Sequence, residues 1–378
     1  MKQLLFAAVF LSVFAGTTRS QVSAWKPAGD RITTVWSANV NPLNPLPEYP
    51  RPQMVRNSWK NLNGLWDYAI TGSESARPSS FDGKILVPFA IESALSGVGK
   101  PVGPDNILWY RTRFTIPKDF REKTILLHFG AVDWKSEIFV NGVSAGTHQG
   151  GYDPFTFDIT TFVKGSGSQV LELKVTDPVD KGVQPRGKQV IKPSGIWYTS
   201  VTGIWQTVWI EAVPKTYIVS TKQVPDIDKG ILKLDVNVQN AQPGDIVSVS
   251  AWDGTVKVSG TEAAPGTQIE LPVKNAKLWS PDNPFLYDLK IAIMRKGKVA
   301  DEVKSYFAMR KISLKPDANG FLRMMLNNEF VFQYGPLDQG WWPDGLYTAP
   351  TDEALLFDIV KTKEMGFNTI RKHVKSEP

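Results

Sequence analysis

The sequence predicts a mainly β protein: a jelly-roll-type sandwich, then an immunoglobulin-like β-sandwich, then the first strand, helix and strand of a (β/α)8 barrel. Three observations predict it. Short alternating or β-branched runs separated by Gly, Asn, Asp and Pro fill residues 55 to about 308. Long helical periodicity is missing from that stretch, while 30 Gly and 27 Pro supply many turns. A strand, helix, strand pattern starts only after Leu314. The length of 378 residues allows two to three domains.

Residues 1–20 read as a secretory signal peptide. Met1 and Lys2 precede an apolar run from Leu4 to Ala15, followed by small or polar residues with cleavage positions after Ser20 or Ala24. The run is too short to span a bilayer. A secreted or periplasmic protein without a membrane span is therefore expected, and with no Cys a lipidated cysteine anchor is excluded. Without Lys2 and Arg19 the chain keeps 41 Lys and Arg against 37 Asp and Glu. These are spread along the sequence, which argues against a nucleic-acid partner.

Residues 45–214 form the first sandwich in this reading. Its strand-like runs are Leu65 to Ile70, Leu108 to Ile116, Thr124 to Phe129, Glu137 to Val140, Val170 to Thr176 and Thr207 to Val213. Asn141-Gly142 after Ile138-Phe139-Val140 is the sharpest hairpin signal, because both residues tolerate the positive φ of a type I′ turn. Residues 215–312 form the second sandwich, with runs at Ile231 to Val238, Ile246 to Trp252, Gln268 to Val273, Leu286 to Met294 and Val303 to Ala308. Residues 313–378 differ. Glu329 to Tyr334 is strand-like, and Thr351 then caps a helix carrying Asp352 and Glu353 in its first turn. Leu355, Leu356, Ile359 and Val360 make its apolar stripe, Gly366 stops it, and Phe367 to Ile370 resumes as a strand. A parallel sheet is buried on both faces, and a complete barrel takes about 250 residues, so these 66 residues are expected to be the front of a longer unit.

Composition narrows the chemistry. The absence of Cys excludes disulfide frameworks, cysteine-ligated zinc, iron–sulfur clusters and thiol nucleophiles, and three scattered His do not suggest a metal site. No metal or cofactor is expected. Carboxylates, hydroxyls, Lys, Arg and aromatics remain, with 13 Trp a high number for this length.

Several motifs then carry a resemblance. Trp59-Lys60-Asn61-Leu62-Asn63-Gly64-Leu65-Trp66, Trp109-Tyr110-Arg111-Thr112-Arg113-Phe114, and Phe129 to Trp134 with Val140-Asn141-Gly142 occur in that order. They are followed by Gly150 to Phe155 with Phe157-Asp158-Ile159, by Thr202 to Trp209, by Leu278-Trp279-Ser280-Pro281-Asp282-Asn283-Pro284 through Tyr287, and by Gly366-Phe367-Asn368-Thr369-Ile370-Arg371. In series they resemble glycoside hydrolase family 2, the family of β-galactosidases, β-glucuronidases and β-mannosidases. The resemblance runs from about residue 50 to the end. It implies a sugar-binding-type first domain and retaining hydrolysis of a terminal β-linked sugar in an oligo- or polysaccharide, β-galactosidase-like in the first instance. The alternative is a non-catalytic carbohydrate-binding or adhesion module. Oligomeric state is not legible.

Most of these motifs have a structural reading. Trp109, Trp134 and Trp205 suit core or inter-sheet packing, Trp279 a strand start, and Asp153 and Asp158 local backbone amides. Function in a (β/α)8 barrel sits at the C-terminal ends of the strands. There the segment Gly335 to Asp344 offers Asp338 and Gln339 to bond hydroxyls and Trp341 and Trp342 to stack on a sugar face, or it is a loop held by its own Trp packing. After the second strand come Arg371 and His373. The resemblance implies an Arg and a nearby His lining the sugar pocket here, although the spacing is one residue shorter than the family's common Arg-x-Ser-His. Of the two, His373 is the better sugar contact, and Arg371 is expected first to make a buried structural ion pair at the barrel core. Retaining glycosidases need two carboxylates about 5 to 5.5 Å apart. The family's pair are Glu residues on the fourth and seventh barrel strands, so none of Glu329, Glu353, Glu364 or Glu377 takes that role.

Overall fold

A computed structural model describes residues 25–29, 31–165 and 167–375. The expected signal peptide lies outside the described residues.

Alternation along each strand decides which side chains meet. In Gly64–Gly72, Trp66 and Tyr68 are buried while Leu65 and Asp67 are only partly so. Six strands form one antiparallel sheet in the order Gly83–Val87, Gly64–Gly72, Asn106–Thr115, Ser168–Thr176, Lys135–Val140 and Val143–Gln149. Trp59–Asn61, Val208–Val213, Thr124–Phe129 and Phe155–Asp158 form a second antiparallel sheet. One core lies between them, with Trp66, Tyr110, Ile138 and Leu173 meeting Leu127, Phe129, Val208 and Ile210. Each such apolar side chain contributes about 1.5–3 kcal/mol by leaving water. Asn141 and Gly142 make the tight hairpin between Lys135–Val140 and Val143–Gln149, both with positive φ as predicted. Trp109 and Trp205 are core residues.

The second sandwich pairs a three-stranded sheet, Tyr217–Asp226, Ile231–Gln239 and Ile269–Pro272, with a four-stranded one, Val256–Ala263, Ile246–Asp253, Tyr287–Arg295 and Lys298–Phe307. Arg56 fastens the two sandwiches together. Its guanidinium is bidentate to Asp301, donates to the Ile218 carbonyl at 2.7 Å and lies 3.8 Å from Glu211.

The last block departs from the sequence reading at both of its strands. Glu329 to Tyr334 is not one strand: only Glu329–Phe330 pairs, closing an antiparallel ribbon with Ile312–Pro316 and Leu322–Leu326. Asn327 and Asn328 turn the chain there with positive φ. The second strand is Arg371–Lys372, not Phe367 to Ile370, and it pairs in parallel with Leu337–Asp338. Two chain-specific features set this register. Asn368 bonds the main chain of both Tyr334 and Phe332. Gly335 packs so closely on Thr369 that a Cβ there would sit 1.6 Å from its carbonyl oxygen. Between the paired strands runs the helix Asp352–Glu364, capped as predicted by Thr351, whose side chain accepts from Ala354 N at 3.3 Å. Gly366 ends it with φ of 85°. Ala354 is its buried residue, while Leu355, Leu356, Ile359 and Val360 stand 41–59% exposed.

Candidate functional site

The segment 335–349 leaves the first parallel strand and is fixed against the first sandwich. The Asp344 side chain accepts from Thr34 N and Oγ1, both at 2.7 Å, and its carbonyl accepts from Leu95 N at 3.0 Å. Thr348 Oγ1 donates to the Trp205 carbonyl at 2.5 Å. Leu346 and Tyr347 bury themselves with Ala90, Ala131, Val201 and Trp205. The segment's geometry is thus inherited from a complete hydrophobic core.

The six residues selected from the sequence separate into two groups. Asp338, Gln339 and Trp341 line one open cleft of about 590 Å³, together with Tyr198 and the helix residues Phe357, Asp358 and Lys361. Asp338 Oδ1 accepts from Gly340 N at 2.6 Å, and its Oδ2 pairs with Lys372 at 2.6 Å. Partial burial alone would raise the Asp338 pKa, but the Lys372 ammonium and the Gly340 N–H outweigh it and hold the carboxyl ionised, below the ordinary value. Gln339 Oε1 accepts from Tyr198 OH at 2.6 Å, and the Tyr198 ring stacks on Trp341 at 4.5 Å. The other three do not line this cleft. Trp342 turns inward, 8% exposed and edge-to-face with Trp36, so its indole serves packing in this arrangement. Arg371 lies exposed on the second strand, with no carboxylate in ion-pair range among the described residues. His373 donates its main-chain N–H to the Asp338 carbonyl at 2.9 Å, and its buried Nδ1 has no partner among the described residues.

Sequence reasoning missed what surrounds this group. Tyr198 comes from the long connection between Ser168–Thr176 and Gly203–Ile204, and nothing in its spacing marks it as a partner of residue 339. Lys375 Nζ donates to the Tyr347 carbonyl at 2.9 Å and lies 5.5 Å from the Trp205 ring. Beneath the connection sit three buried acids, Glu92, Asp133 and Asp177. Glu92 accepts from Ser200 Oγ and Thr202 N, Asp177 from Thr202 Oγ1 and Val179 N, and Asp133 from Gln189 Nε2. Burial pushes Glu92 up to about 8 and Asp177 to about 6, against the pull of their hydrogen bonds; burial and the nearby Asp177 raise Asp133 well above its ordinary value. Among the described residues no group of His, Asp and Glu is placed to hold a metal ion.

Two family models match the two sandwiches. "Glycosyl hydrolases family 2, sugar binding domain" matches residues 87–214, and "Glycosyl hydrolases family 2" matches residues 215–310. The chain belongs to glycosyl hydrolase family 2. A putative β-glucuronidase of Formosa agariphila is 28% identical to this family 2 chain over 369 residues, covering 94% of it and 32% of the relative. The β-galactosidase BoGH2A of Bacteroides ovatus is 28% identical over 282 residues, 70% of this chain and 30% of that protein. The family 2 chain therefore spans about a third of the length of these curated relatives. Its fold is shared with the solved β-glucuronidase of Ruminococcus gnavus in complex with N1-substituted uronic isofagomine, at a TM-score of 0.71 and 21% identity over 87% of this chain and 58% of that one.

Proposed function

We propose that this chain is the front part of an exported, secreted or periplasmic, retaining β-glycosidase that removes a terminal β-linked sugar from an oligo- or polysaccharide. In this reading residues 313–378 open a (β/α)8 barrel whose catalytic Glu pair lies on strands beyond residue 378. The observation that carries it is the placement of Asp338, Gln339 and Trp341 at and just after the C-terminal end of the first of two parallel strands, on a segment docked to the sandwich of a family 2 chain. Barrel active sites occupy that end of the strands. The exposed apolar side chains support the same reading: Leu356 and Ile359 on the helix, with Phe330 and Phe332 before it, are 53–71% exposed. Further barrel strands and helices would cover them.

The residues in hand would bind and orient rather than break bonds. Ionised Asp338 accepts hydrogen bonds from sugar hydroxyls, Gln339 can accept and donate, and the indole of Trp341, backed by Tyr198, offers an apolar face. His373 and Arg371 border this group at the end of the second strand. The test is hydrolysis of nitrophenyl β-galactoside and β-glucuronide by the full-length gene product, with the anomer of the released sugar read by NMR. Hydrolysis with retention is expected, and none from the 378-residue chain alone. Inversion, or an acidic residue within 1–378 whose loss abolishes turnover as the nucleophile, would overturn this reading. So would a full-length product that binds glycans and cleaves none, which would make it a carbohydrate-binding module.

A further inference from the structure

We propose that the connection between Ser168–Thr176 and Gly203–Ile204 is a binding arm for an anionic glycan, reading the carboxylates or sulfates of a chain that extends out of the candidate site. The proposal rests on the glycosidase reading for the ligand class and on three observations for the arm itself.

The first is position. The arm lies over the ends of both parallel strands. Tyr198 bonds Gln339 and stacks on Trp341. Gly187 abuts Val374, two residues past the second strand, so that a Cβ there would sit 2.1 Å from the Val374 carbonyl oxygen. A glycan whose end occupies the candidate site can leave past this arm, on the Tyr198 side of the cleft.

The second is charge. Between residues 178 and 198 the arm carries Lys181, Arg186, Lys188 and Lys192 against the single acid Asp180. The Asp180 carboxylate is engaged with Ile191 N at 3.3 Å, while Arg186 Nη1 bonds only the Asp180 carbonyl at 3.2 Å. None of the four cations has a carboxylate in ion-pair range among the described residues, and Arg371 on the adjoining strand has none either. Lys188 Nζ lies 5.8 Å from the centre of the Tyr198 ring, which puts one cation beside the Gln339 contact. Of the acids nearby, Glu92, Asp133 and Asp177 are buried beneath the arm at 2–3% exposure and Asp338 is paired with Lys372, while exposed Asp358 on the cleft and exposed Asp153 beside residues 182–185 offset only part of the arm's charge. The four cations lie within residues 181–192, and the contact of Lys188 with the Tyr198 ring carries this cluster up to the cleft.

The third is stiffness. Lys188 and Val190 pair with Tyr198 through the main chain, and buried Gln189 ties the arm to Asp133 and to Val201 N. The cations are thus presented from a fixed base, with Trp197 41% and Ile196 67% exposed at the tip as apolar surface for sugar rings. Clustered like charge on a fixed rim concentrates a ligand of opposite sign.

The test measures binding of the full-length gene product to unsulfated chondroitin, its carboxyl-reduced form and a sulfated chondroitin, at low and high salt. Native chondroitin is expected to bind about tenfold or more tighter than the carboxyl-reduced form, with the advantage fading as salt rises. A further gain on sulfation would assign the arm to sulfate, and equal binding of the two anionic forms to carboxylate. Substituting Lys181→Gln, Lys188→Gln and Lys192→Gln together should erase the preference and leave nitrophenyl glycoside turnover unchanged. Lys257→Gln with Lys298→Gln, on the second sandwich, should preserve both. Equal affinity for native and reduced chains, an unaffected triple variant, or single-stranded DNA bound as tightly as the glycan would overturn the proposal. Because small-substrate hydrolysis is read separately, absence of any anion preference in the unsubstituted protein with hydrolysis intact refutes the arm alone. Absence of hydrolysis with the preference intact refutes the glycosidase reading alone.

Discussion

The first sandwich buries carboxylates at two joints, and it treats them in opposite ways. At the joint with the second sandwich, Glu211 has no exposed side-chain surface, yet it is held down at about 2. Burial alone would raise it. The His128 ring, 3.4 Å away, the positive charge of Arg51 at 2.7 Å and the Tyr49 hydroxyl reverse the sign. At the joint with segment 335–349, Glu92 is equally buried but meets only Ser200, Thr202 and the neighbouring acid Asp177, and it rises to about 8. The same burial gives opposite protonation because one site supplies cations and the other only neutral donors. The first joint is an ionic clamp, and the second is a hydrogen-bonded seam in which Glu92 keeps its proton up to about 8.

The largest expected effect tests the clamp. Glu211→Gln leaves Arg51 and Arg56 facing a neutral amide in a buried place, and breaking such a pair from one side costs about 3–5 kcal/mol. Denaturant unfolding of the variant should show that loss. A loss below about 1 kcal/mol would mean that the cations relax to solvent and that the two joints differ less than their geometry indicates.

The next effect separates the joints by pH. Glu211 has its folded value below the ordinary 4.5, so its contribution is complete above about 4.5 and is lost as pH falls toward about 2. Glu92 and Asp177 have raised folded values, so the unfolded chain gives up their protons first. Their penalty is absent at low pH and grows as pH rises from the ordinary 4.5 and 3.8 through about 8 and about 6. Stability should therefore decline from mildly acidic to alkaline pH by roughly a few kcal/mol. Glu92→Gln should flatten the alkaline limb while keeping the Thr202 and Ser200 bonds, and a limb of unchanged slope would show that the seam admits water.

Legibility from sequence follows the same division between complete and incomplete packing. Both sandwiches were readable because a half-buried strand must alternate, and Thr124–Phe129 is recovered to the residue. Tyr217–Asp226 and Val256–Ala263 were not read, since polar residues interrupt their alternation on exposed faces. The helix was legible from Thr351, Asp352, Glu353 and Gly366, all local signals. Its flanking strands were displaced because register there depends on Asn368 and Gly335 meeting residues more than 30 positions away. Asp338, Gln339 and Trp341 were selected by chemical type and position, and the fold brings them to one cleft. Trp342 looked equivalent, but only the fold separates an indole over a cleft from one buried on Trp36. The relation of Tyr198 and Gly187 to residues 339 and 374 was invisible because it exists only in space.

A smaller effect probes the last block. Thr351→Ala removes the helix cap and should cost about 1 kcal/mol locally. Hydrogen exchange should show faster exchange over residues 352–356 with little change in the sandwich core. Equal acceleration in both would mean that the block unfolds only together with the sandwich.

The smallest effect sharpens the boundary between the seam and the candidate site. Tyr198→Phe deletes one hydrogen bond to Gln339 and keeps the ring that stacks on Trp341, so the expected loss is about 0.5–1 kcal/mol. The change should localise: amide exchange over residues 337–342 rises, while the alkaline limb set by Glu92 stays in place, because Tyr198 makes no hydrogen bond to that carboxyl. If the limb shifts with Tyr198→Phe, the acids and the site residues form one coupled network. In that case protonation of the seam would set the geometry of Gln339 and Trp341, and with it the affinity of the site for a sugar.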